Sequence, residues 1–134
     1  MALSEAARAA RYQWRADVLA YDDTGDDVKA SDRRRYEHAA RLAQAVADAR
    51  PAFQAAVDEI ELGHLADMQA WVQGGRSGDK PTMQAEVSSD SSVQIFRSAR
   101  EALRDYVQSD EFRQTVGRAR QDNWDEPTDE ELVA

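Results

Sequence analysis

Glu61 and His64 stand three residues apart in a run whose apolar spacing is helical, so a carboxylate and an imidazole lie about one turn apart on one side. A pair so placed can ligate one iron. Glu37 lies thirteen residues before Arg50 and His64 thirteen after Pro51, so an antiparallel hairpin about Arg50-Pro51 sets Glu37 level with Glu61 and His64. The simpler reading makes His64 a hydrogen-bonded core histidine and Glu61 the partner of an arginine. Other chemistries lack their residues. The absence of cysteine excludes a disulfide framework, a thiolate zinc site and a thiol nucleophile. There is no Gly-x-Ser-x-Gly elbow. The run Gly74 to Lys80 lacks the following Ser or Thr and the preceding strand of a phosphate loop, and reads as a solvated linker.

The run Glu61-Leu62-Gly63-His64 to Trp71 resembles the second helix of ferritin-like proteins. Those bundles join Glu-x-x-His elements to glutamates of neighbouring helices around iron. The resemblance covers residues 61–71 and implies an iron cofactor held by Glu37, Glu61 and His64. A complete site in one chain needs two such elements, and this chain has one, so the implied site is dimeric.

The elements that must position these residues are helices. Leu3, Ala7, Ala10, Trp14, Val18 and Tyr21 recur at helical steps over 3–21, with Ser4 as a candidate cap. Ser31-Asp32 opens a second helix to Ala49, with Tyr36, Ala39, Ala40, Leu42, Ala43, Val46 and Ala47 as its apolar side. Arg50-Pro51 breaks it, and Pro51 starts a third helix to Gln73. Phe53, Val57, Ile60, His64, Met68 and Trp71 form one stripe of that helix. Leu62, Leu65 and Val72 form a second, which predicts a central, buried helix. Gly74-Gly75 stops it. Residues 74–91 read as a long flexible loop, with Thr82 to Val87 as a candidate extended piece. A fourth helix runs from Ser91 or Ser92 to Gln108. Ser109-Asp110-Glu111 caps a short fifth one ending near Arg120. Strand signals are nearly absent. The expected fold is all-α: a small bundle of four to five helices in one domain over 1–120, with a central antiparallel hairpin and an acidic tail over 121–134.

The chain has 134 residues and a formal charge of −9, with 15 arginines against two lysines, a bias that fits a GC-rich genome or a high-salt origin. The acidic balance argues against nucleic acid. Arg33-Arg34-Arg35 reads as a solvated turn pairing with local acids. No apolar run approaches the roughly 20 residues of a membrane span, and no secretory signal is evident, which points to the cytoplasm or a virion. Residues 51–90 carry seven acids and two bases, and residues 91–120 six bases and four acids. Arg97, Arg100 and Arg104 share one helical side and are expected to face acids of the third helix or the tail. Trp124, beside Asp125 and Glu126, has the form of an anchor for a partner's apolar pocket, with the acids steering towards a basic rim. Without the iron site, the chain reads as a non-enzymatic interaction or assembly subunit without cofactor: a viral structural protein, adaptor or inhibitor. Its partners are proteins, including further copies of itself, and the tail and long loop order against neighbours.

Overall fold

A computed structural model describes residues 4–22, 25–122, 126–128 and 131. The elements are α1 (Glu5–Asp22), α2 (Asp27–Gln73), α3 (Gln84–Ser89), α4 (Ser91–Val107) and α5 (Asp110–Gln121), with no strand among the described residues. The all-α class is therefore as expected.

Side-chain caps set where four of the helices begin. Ser4 Oγ accepts from the Ala7 N–H at 3.1 Å, and Ser109 Oγ accepts from the Phe112 N–H at 3.3 Å, as the sequence predicts. Asp90 Oδ1 accepts from the Val93 N–H at 3.1 Å and opens α4. The second helix begins earlier than Ser31-Asp32. Asp26 Oδ1 accepts from the N–H groups of Val28 and Lys29 at 2.9 and 3.4 Å, which frees the Asp32 carboxylate for a tertiary role.

The largest correction concerns the hairpin. The predicted second and third helices are one 47-residue helix with Pro51 inside it. Proline in a helix interior forfeits one hydrogen bond and crowds the preceding turn, at about 3 kcal/mol. Reversing the chain needs turn residues, and Arg50-Pro51 has no glycine or asparagine beside it. Ala45, Ala47, Ala49, Ala52, Ala55 and Ala56 instead favour the helix on both sides of the proline.

The helix ends where glycine permits it. The Arg76 N–H bonds the Trp71 carbonyl at 2.9 Å and the Gly75 N–H bonds the Val72 carbonyl at 3.1 Å. This Schellman pattern requires a left-handed residue, and Gly75 supplies it at φ +80°. The long loop is shorter than expected. Gln84–Ser89 is helical, which also overturns the extended piece over Thr82 to Val87.

The chain divides into two compact units, one of Met1–Asp48 with Ala99–Ala134 and one of Ala49–Ser98. In the first, Ala16, Leu19, Tyr36, Ala39, Phe112 and Ala119 form a buried cluster, with Tyr12, Tyr106, Val107 and Val116 packed against it. Phe112 meets Tyr12 and Tyr36 edge-on, both at 5.6 Å between centroids. The buried residues of α1 are Ala7, Ala9, Ala16 and Leu19, with Ala10, Tyr12, Trp14 and Val18 half-buried, so Ala7 of the predicted stripe is buried while the rest of the buried side turns towards Ala9, Ala16 and Leu19, and Tyr21 is exposed. Alanine fits either face, and Tyr12 decides between them by joining the aromatic cluster. In the second unit, Phe53 stacks on Phe96 at 4.2 Å, and the Arg50 guanidinium lies 5.0 Å from the Phe96 ring centre. Val93 and Phe96 are the residues this unit buries fully.

Candidate functional site

The first unit carries a buried ionic cluster. Asp32 is 4% exposed. Arg118 grips it in a bidentate pair through one guanidinium edge, Nε to Oδ2 at 2.7 Å and Nη2 to Oδ1 at 2.6 Å. The Thr115 hydroxyl donates to Oδ1 at 2.9 Å and Arg35 Nη1 donates to Oδ1 at 3.1 Å. Burial alone pushes the carboxyl pKa up. The bonds from Arg118, Thr115 and Arg35, with the Arg118 charge, outweigh it and hold the pKa below the ordinary carboxylate value. Both carboxylate oxygens are bonded within the protein, so the cluster clamps α2 to α5. Sequence reasoning read Asp32 as a cap because its partners lie more than eighty positions away.

The second unit holds His64 beside a cleft of about 620 Å³ lined also by Lys80, Pro81, Thr82, Ser88 and Arg97. His64 is half-buried, and its Nδ1 is shut off from solvent with no hydrogen-bond partner among the described residues. Two cations line this cleft, surroundings suited to an anion rather than a metal ion. Glu61 is exposed, and Glu37 pairs with Arg33 at 3.7 Å. With α2 continuous, the fold-back that was to bring Glu37 level with Glu61 and His64 does not exist. Among the described residues no three His, Asp or Glu side chains are grouped to hold a metal ion.

Trp124 and Asp125 lie outside the described residues. Glu126 pairs with Arg11 and Arg15 of α1. Arg104 lies 3.9 Å from both Glu101 and Asp105 of its own helix. Arg97 is exposed at the cleft and Arg100 is exposed on α4. The triple arginine pairs locally as expected, Arg33 with Glu37, Arg34 with Ser31, and Arg35 with Asp32.

What the sequence misjudged most is the second apolar side of the long helix. Phe53, Val57, Ile60, His64, Met68 and Trp71 are partly buried, as their stripe predicts. Leu62, Leu65 and Val72 are 68%, 60% and 48% exposed. Their spacing of three and seven puts them on one helix face over about 15 Å of its length. Four of the six large apolar side chains most exposed among the described residues, these three and Ile95, belong to the second unit. The chain matches no protein-family model, no curated protein and no solved structure. No described helix is long and apolar enough to cross a membrane.

Proposed function

We propose that this chain is a non-enzymatic interaction or assembly subunit that docks a protein partner on the second unit. One observation carries the reading. Residues 49–98 bury two side chains fully and leave Leu62, Leu65, Val72 and Ile95 in water. Fully burying a leucine is worth about 1.5–3 kcal/mol, so an aligned row of exposed ones is a surface whose free energy falls on being covered. An adaptor, an inhibitor and a virion component all fit this surface. In the tail, Glu126 pairs with Arg11 and Arg15 of α1.

Position-resolved photo-crosslinking tests it. A benzoylphenylalanine in place of Leu65, in the cells that naturally make the protein, should give one dominant protein adduct. The same probe in place of Ala20, exposed on α1 of the first unit, should give none. Equal adducts from both positions, or none from either, would exclude the second unit as the docking surface.

A further inference from the structure

The charges around the exposed row identify the chemistry of what covers it, an inference that rests on the docking role proposed above. From Pro51 to Gln73 the helix carries Asp58, Glu59, Glu61 and Asp67 and no lysine or arginine. Asp58 lies one turn before Leu62, and Glu61 one turn before Leu65, so both carboxylates share the face of the leucines. Both are exposed. Any surface that covers Leu62 and Leu65 draws Asp58 and Glu61 out of water, and a carboxylate loses more by desolvation than it gains unless a cation meets it. A second copy of this face brings only further carboxylates along the stretch. An anionic lipid surface or a nucleic acid fails for the same reason.

We propose that the face of α2 bearing Leu62, Leu65 and Val72 binds a basic amphipathic helix of a partner protein. Its apolar residues would recur at helical spacing, with lysine or arginine set against Asp58 and Glu61. A rod whose apolar side chains stand at i, i+3 and i+10 is matched by another helix with the same periodicity.

The probe is a synthetic 18-residue helix with leucine at heptad a and d positions and lysine elsewhere, titrated by fluorescence anisotropy against the full chain. A control peptide replaces every lysine with glutamate. The lysine peptide should bind and the glutamate peptide should not. Leu62→Ser/Leu65→Ser should weaken binding about tenfold or more. Asp58→Asn/Glu61→Gln should also weaken it and remove most of its salt dependence. Both pairs are exposed, so these variants leave the fold in place. Equal binding by wild type and the serine variant would overturn the proposal, since attraction to net charge would then explain everything. So would an absence of binding, or a concentration-dependent dimer of the wild type that the serine variant abolishes. If crosslinking through Leu65 succeeds while the lysine peptide fails, the docking role stands and the basic partner falls.

Discussion

Replacing Phe96 with alanine is expected to cost about 3–5 kcal/mol, the range for removing a fully buried phenylalanine. The ring is 1% exposed, stacks on Phe53 and receives the Arg50 guanidinium on its face. The loss should fall unevenly. Residues 49–98 bury only Val93 and Phe96 fully, so a deficit of this size exceeds what so small a unit holds in reserve. Two indoles report on the units separately: Trp71, whose Nε1 donates to the Gly78 carbonyl at 3.4 Å, and Trp14 on α1. In the Phe96→Ala protein the Trp71 indole resonance should move to its unfolded position at 25 °C while that of Trp14 persists. A loss below about 1 kcal/mol would contradict the assigned core. Simultaneous loss of both signals would contradict the division into two units.

Removing the Asp32 carboxylate is the second large perturbation. Breaking a buried ion pair costs about 3–5 kcal/mol, and because Arg118 is 39% exposed, water recovers part of that for Asp32→Ala. The expected loss is about 2–3 kcal/mol, a fall of roughly 10 °C in Tm. Arg118→Leu should cost as much or more, since it strands the carboxylate rather than the guanidinium. Asp32→Leu/Arg118→Leu should be less damaging than the two single losses added together. The pH dependence has a fixed sign. The pKa of Asp32 is lower in the folded chain than in the unfolded one, so its stabilisation is whole above the unfolded value near 4. It is lost as pH falls through the folded value. Wild-type Tm should therefore drop more steeply than that of Asp32→Asn below about pH 4. Parallel curves would show that Asp32 adds nothing through its charge.

What could be read from the sequence follows the range of the interaction. Ser4 and Ser109 act on N–H groups three residues away, and both caps were legible. The second-helix stripe is the one apolar side of its stretch, and its Tyr36, Ala39, Ala40, Ala43 and Val46 are buried. Pro51 was misleading because its local penalty is real, while the alanines around it decide the outcome jointly. Asp32 resembled a cap because nothing near it in sequence announces Thr115 and Arg118. Leu62, Leu65 and Val72 were read as core because periodicity marks which residues share a face and says nothing of whether that face is covered. The proposed docking surface is the place where that inference fails. Its signal was present all along in the coincidence of a second apolar stripe with a stretch holding four acids and no base.

Hydrogen–deuterium exchange on the full chain tests the central claim most directly, that a thinly packed unit displays an acidic apolar face for a basic helix. In the free protein, amides of residues 49–98 should exchange about tenfold or more faster than those of α5 and the first half of α2. Saturating lysine-leucine peptide should slow residues 55–73 and leave the first unit unchanged. Uniform protection of the free chain, or protection by the peptide that appears on α1 or α5 instead, would contradict it.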